Sequence, residues 1–202
     1  MTSAVRVVAA SLERRIGVLG LAVLAAACSP ASSVRAPERS GNASGRIVFD
    51  VERACVPSGP ERCMDARDDN CNGIIDEGCG LPTGPVQFVI AWDAPTADVD
   101  LRVTDPNGEM AEVGRTLASG LVKQRDCPGR EEPCRGQNLE NVFLDGNDPP
   151  RGTYRVRVVL EDLGDEAPPV RVRLGARVGP RTYSFELRLD GPDAAYEAEF
   201  DL

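Results

Sequence analysis

From residue 84 onward, apolar and polar positions alternate in short runs. Val86, Phe88, Ile90 and Trp92 fall on one face of a segment, and Tyr154, Val156, Val158 and Leu160 alternate with Arg155 and Arg157. Val170, Val172 and Leu174 alternate with Arg171 and Arg173, and Tyr183, Phe185, Leu187 and Leu189 with Thr182, Ser184, Glu186 and Arg188. A period of two, bounded by Gly, Pro and Asp clusters, marks antiparallel strands with one wet face. No stretch after residue 28 carries a helical period. The pattern predicts an all-β fold, an antiparallel β-sandwich of about six to eight strands over roughly 120 residues. A further run over 46–51, with Ile47, Phe49 and Val51 on one face, predicts a strand that joins the sandwich or caps the segment after it.

That segment has a different logic. Residues 68–77 read Asp-Asp-Asn-Cys-Asn-Gly-Ile-Ile-Asp-Glu. Asp68, Asn70 and Asn72 alternate, Gly73 follows where a tight loop must turn, and Asp76 and Glu77 close the run. A hard cation such as Ca²⁺ takes roughly six to eight oxygen ligands, and alternate residues of a tight loop can aim oxygens at one point. The expected ligand set is Asp68, Asn70, Asn72, Ile74, Asp76 and Glu77. The opposing expectation is a stapled acidic turn that holds no ion.

Cysteines enclose this loop. Cys55, Cys63, Cys71 and Cys79 recur every eight residues, and Cys127 and Cys134 bracket a turn-rich stretch. An even number in an exported chain reads as three disulfides, Cys127 with Cys134 and the other four in one of three pairings. Zinc held by the four thiolates is the rival, but zinc sites use a Cys-x2–4-Cys spacing that this chain lacks.

Export itself is written at the N-terminus. Arg14-Arg15 precede the apolar run 16–24, and Ala25-Ala26-Ala27 lead directly to Cys28. A charged region, a short apolar run and small residues before a cleavage point make a secretory signal. The run falls short of the ~20 apolar residues a membrane-spanning helix needs. Small residues followed at once by cysteine resemble a bacterial lipobox, which implies lipidation of Cys28. Ser29 after the anchor cysteine favours the outer membrane by resemblance to enteric sorting rules. Residues 29–44, rich in Ser, Pro and Gly, are too polar to fold and read as a tether. The expected organisation is a signal peptide over 1–27, a tether over 28–44, a cysteine-rich metal-binding module over 45–80 and the sandwich over 81–202.

Composition then removes whole classes of function. The chain has no histidine, so no Ser-His-Asp or Cys-His system exists and no imidazole can bind zinc or copper. Loss of Arg6, Glu13, Arg14 and Arg15 with the signal changes the net charge from −9 to −11, which argues against nucleic acid as a partner. Adjacent carboxylates such as Glu131-Glu132 and Glu161-Asp162 read as solvated charge, since general acid catalysis needs a carboxyl in a pocket. The expectation is a non-catalytic protein. Arg171, Arg173 and Arg188 form a basic stripe on a wet face, where Glu186 and Asp190 can pair with them across strands or leave them as an anion site.

Two resemblances add to this. The segment from Glu61 to Cys79 resembles the MopE-type metal-binding motif of bacterial surface proteins, with Cys63, Asp68 or Asp69, Asn70, Cys71, Asn72, Gly73, Asp76 and Glu77 on its pattern. It departs from that motif at Met64 and Asn70, where aspartate is usual, and fewer carboxylates lower cation affinity. The family label implies copper, but the loop offers oxygens rather than imidazole or thiolate, which suits calcium. The phrases 92–108, Leu139-Glu140-Asn141-Val142-Phe143 and 150–158 resemble pre-peptidase C-terminal domains. That likeness implies an accessory β-sandwich and a second calcium site at Asp98 and Asp100, with Glu140 or Asn141; the alternative is that Asp98 caps a turn and Asp100 faces solvent. The expected protein is lipid-anchored in the cell envelope and binds a protein or glycan partner. Copper or zinc handling, or an accessory role beside an envelope hydrolase, are the alternatives.

Overall fold

The computed structural model describes residues 55–127 and 137–202, together with the backbone of two short earlier strands. In chain order the strands are β1 (Val5–Arg6), β2 (Gly45–Val48), β3 (Val86–Trp92), β4 (Asp98–Thr104), β5 (Leu121–Arg125), β6 (Leu139–Leu144), β7 (Thr153–Asp162), β8 (Val170–Val178), β9 (Arg181–Leu189) and β10 (Ala195–Asp201). They form two antiparallel sheets, β1-β10-β7-β4 and β2-β9-β8-β3-β6-β5. No helix occurs among the described residues.

Alternation places the core between the sheets. Val99, Leu101 and Val103 of β4, Tyr154, Val156, Val158 and Leu160 of β7, and Tyr196, Ala198 and Phe200 of β10 face Val86, Phe88, Ile90 and Trp92 of β3 and the apolar rows of β8 and β9. Each large side chain so buried contributes about 1.5–3 kcal/mol. The outer face of the first sheet is wet, as the alternation predicts. There Arg155 pairs with Glu199 at 3.0 Å and Arg157 with Glu197 at 2.5 Å, each directly across the β7–β10 register.

Of the two placements the sequence leaves open for the 46–51 run, the structure takes the first, and one further feature differs from expectation. The 46–51 run contributes β2, which joins the second sheet beside β9 and so belongs to the sandwich. The outer face of that sheet is largely covered, because the cysteine-rich module lies on it. Ala66, Ile75 and Leu81 pack with Val89 and Ala91 of β3 and Leu139 of β6 into a second apolar cluster, with Met64 at its margin. β3 is therefore buried on both faces. The module descends onto β8 at Gly175, where an added Cβ would meet the Ala66 carbonyl oxygen at 2.4 Å. Arg173 donates to the Asp65 carbonyl at 2.8 Å, and Arg67 to Glu186 at 2.8 Å. The stripe expected to pair along β8 and β9 thus gives up Arg173 and Glu186 to the module.

Candidate metal centre

The module is a stack of turns held by two crossing disulfides, Cys55–Cys71 and Cys63–Cys79. Of the three pairings left open by the sequence, this one ties each cysteine to the next but one. Met64, Ala66, Cys71 and Asp76 all adopt left-handed backbone, which costs a non-glycine residue of order 1 kcal/mol or more. Loops of about 15 residues closed by a disulfide contribute roughly 3 kcal/mol each in the chain-entropy account, enough to hold such a backbone. Cys127 is also disulfide-bonded. Its expected partner, Cys134, lies outside the described residues, as do Cys28 and Glu131-Glu132.

Within this frame the 68–77 loop curls on its own polar side chains. Asp68 accepts from the Asn72 and Gly73 amides at 3.0 and 2.8 Å. Asn70 Oδ1 accepts from Asn72 N, and Asn72 Oδ1 from Ile74 N, both at 2.9 Å. Gly73, at φ 87°, makes the turn that brings these donors round. The Nδ2 groups of Asn70 and Asn72 both converge on Glu77 Oε1. Glu77 Oε2 is buried and accepts no hydrogen bond. Asn70, Asn72 and Glu77 are thus brought together, but through the amide nitrogens, while Asp68 and both asparagine oxygens accept from backbone amides. Ile74, between them, can offer only its backbone carbonyl.

Asp76 is placed differently. It is fully buried, and its two oxygens accept from the Asp65 and Ala66 amides at 3.2 and 3.0 Å. Its carboxylate anchors the 64–66 turn against the loop. Burial pushes its pKa up to about 6, with the amide donors pulling the other way.

Glu61 joins the site although the ligand pattern does not include it. Its carboxylate accepts from Asp76 N at 3.0 Å, Asp69 N at 3.1 Å and Asn70 N at 3.4 Å. Burial and then the neighbouring Glu77 carboxylate push it up to about 7. The signal was present in the sequence, since Glu61 opens the resembling segment, but six residues separate it from Asp68. Asp69 turns away: it accepts from the Ser58 hydroxyl at 2.7 Å and the Arg62 amide at 3.1 Å. Burial alone would raise its pKa; these donors and the Arg62 charge lower it on balance.

The donor set suits a hard cation. Glu61 and Glu77 supply carboxylates. Asp68 can add one only by releasing the Asn72 and Gly73 amides, and Asn70 and Asn72 can supply oxygen once their terminal amides turn. With Cys55, Cys63, Cys71 and Cys79 oxidised, no thiolate remains here for zinc or copper. The Met64 thioether is packed against the apolar cluster.

The second expected site is reorganised. Asp100 lies within 4.8 Å of Asp126 and Glu140, an acidic triad at the edge where β4 meets β6. Adjacent residues of a strand point to opposite faces, so Glu140 enters the space between the sheets while Asn141 leaves it. Asn141 is not brought to Asp98 and Asp100. It donates instead to the Pro82 carbonyl at 2.9 Å and to Gln124 at 3.3 Å, beneath the module. Asp98 stands at the bulge that begins β4, where burial and then Asp100 raise its pKa.

The triad holds a cation of its own. Lys123 Nζ lies 2.7 Å from Asp126 and 3.0 Å from Glu140. Arg102 takes Asp100 at 2.9 Å. Glu140, fully buried, also accepts from Leu101 N at 2.6 Å and Cys127 N at 3.1 Å. Burial raises its pKa well above the usual range, with Lys123 pulling it down. An ammonium held among the carboxylates makes this a structural ion cluster that joins the sheets.

Comparison with known proteins finds no match: no family model, no curated protein and no solved structure is similar to this chain.

Proposed function

We propose that the protein is a non-catalytic, lipid-anchored component of the bacterial cell envelope whose 68–77 loop binds calcium and so stiffens a β-sandwich that engages a protein or glycan partner. The observation that carries the calcium reading is the meeting of Glu61 and Glu77 beside Asn70 and Asn72, with Glu77 Oε2 buried and unpartnered. Burial and the Glu77 charge together raise the proton affinity of Glu61, and a divalent cation beside the two carboxylates would relieve that repulsion. Oxidised cysteines and the absence of histidine favour calcium over copper or zinc. The anchor rests on Cys28 and the apolar run before it, and an extracellular site of this kind has a Kd on the order of 10⁻⁴–10⁻³ M.

Equilibrium titration of the full-length protein with Ca²⁺, Cu²⁺ and Zn²⁺ tests the metal. Saturable calcium binding that Asp68→Asn/Glu77→Gln abolishes supports the reading. Tighter copper or zinc binding that survives those substitutions contradicts it. Metabolic incorporation of palmitate, lost in Cys28→Ala, tests the anchor separately.

A further inference from the structure

Beside the docked module the outer face of the second sheet opens into a cleft of about 420 Å³. Met64 and Asp65 of the module form one wall, Asp93 closes the β3 side, and Arg171, Arg173 and Arg188 rise from β8 and β9. The strand register sets Arg171 directly opposite Arg188. The same register sets Arg46 of β2 opposite Arg188 on the other side. Three adjacent strands therefore place arginine in line across the sheet.

Like charges directly opposite one another destabilise a strand pair. Elsewhere in this chain the problem is solved internally, as Arg155 and Arg157 face Glu199 and Glu197. Here two of the three acids that line the cleft are committed elsewhere, and the third, Asp93, pairs with neither arginine. Asp65 receives Arg173, and Glu186 receives Arg67. Among the described residues, Arg171 and Arg188 make no ion pair or side-chain hydrogen bond with any residue, Asp93 included. Both are exposed at the cleft. In a chain of net charge −9, two facing guanidinium groups at the mouth of the cleft thus have no counter-ion among the described residues.

We propose that this cleft is a binding site for a phosphate group, in which Arg171 and Arg188 chelate the anion between them. Facing side chains of paired strands stand about 5 Å apart at Cβ, so two guanidinium forks can share one tetrahedral oxyanion. A carboxylate has only two oxygens and is satisfied by one arginine; a phosphate has enough for both. Arg173, held by Asp65, forms the inner end of the cleft. The site uses none of the expected calcium ligands, although its Met64–Asp65 wall is tied to the loop through Asp76.

The test is titration of the full-length protein with inorganic phosphate at constant ionic strength against chloride, and with vesicles of phosphatidylglycerol against phosphatidylcholine. The expected result is phosphate-dependent binding weakened at least tenfold by Arg171→Gln/Arg188→Gln and unchanged by Arg155→Gln on the opposite sheet. Binding to inorganic phosphate identifies a soluble phosphate as sufficient. Binding to phosphatidylglycerol vesicles alone, with the same arginine dependence, identifies a headgroup. Arg188→Glu supplies a second readout: by pairing with Arg171 it raises the unfolding midpoint in phosphate-free buffer and removes the response to phosphate. Binding that persists in the double variant, or no arginine-dependent binding to either probe, overturns the proposal.

Discussion

Gly175 of β8 lies directly beneath Ala66 of the disulfide-stapled module, so close that a Cβ on the glycine would sit 2.4 Å from the Ala66 carbonyl oxygen. This contact joins the candidate metal centre to the sandwich. Ala66 is also the residue whose amide holds Asp76 at 3.0 Å. A shift of the module at Gly175 therefore passes into the turn behind the 68–77 loop.

Gly175→Ala should destabilise the protein by about 1–3 kcal/mol, the usual cost of forcing added volume into a packed interface. Urea unfolding measures this. The variant should also weaken calcium binding, although it touches no ligand.

Lys123→Met removes the cation from Asp126 and Glu140. Removing one partner of a buried ion pair costs roughly 3–5 kcal/mol, because the remaining charge is left uncompensated. Glu140 is the buried partner and takes up a proton as pH falls, so the cost should be largest at neutral pH and shrink in acid. Chemical unfolding at the two pH values gives the difference.

The pH dependence of the module follows from Asp76 and Glu61. Both have folded values above their usual 3.8 and 4.5, at about 6 and about 7. The folded state therefore holds protons that the unfolded chain releases. The stability they contribute is present below the usual values and is lost as pH rises through about 6 to 7. In chelator, Glu61→Gln should flatten the fall of the unfolding midpoint across this window. In calcium, the wild-type fall should itself flatten, since the cation binds the deprotonated carboxylates.

Reduction of Cys63–Cys79 should abolish calcium binding before the sandwich unfolds. Losing a native disulfide from a small module costs about 2–5 kcal/mol, and this bridge closes the turns in which Met64, Ala66 and Asp76 adopt left-handed backbone. Cys63→Ser/Cys79→Ser, read by calcium titration and by the β-sheet circular dichroism signal, separates the two events.

The strands were readable because a half-buried strand must alternate, as β7 and β10 do. The run Val86–Trp92 also contained a clue that both of its faces are covered, since Val89 and Ala91 are apolar on the side opposite Phe88 and Ile90. What covers them was not readable, because the seat of the module depends on Gly175 and Leu139, distant in sequence. The loop spacing brought Asn70 and Asn72 onto Glu77, since that is local geometry, while Asp68 closes the turn on the Asn72 and Gly73 amides. It could not reveal that Asp76 is turned onto Asp65 and Ala66, or that Glu61 reaches in. Glu140 and Asn141 show the same limit. Neighbours in a strand face opposite ways, and only the sheet packing decides which of them enters the core.

The most direct measurement of the central claim is thermal unfolding of the full-length protein in calcium and in chelator, for wild type and Glu77→Gln. At tenfold above a millimolar Kd, binding to the folded state contributes about 1.4 kcal/mol. For a chain of this size that raises the midpoint by roughly 3–6 °C. The account predicts such a rise in wild type and its loss in Glu77→Gln. A wild-type midpoint that is the same in calcium and in chelator would contradict it, and the 68–77 loop would stand as a disulfide-stapled acidic turn.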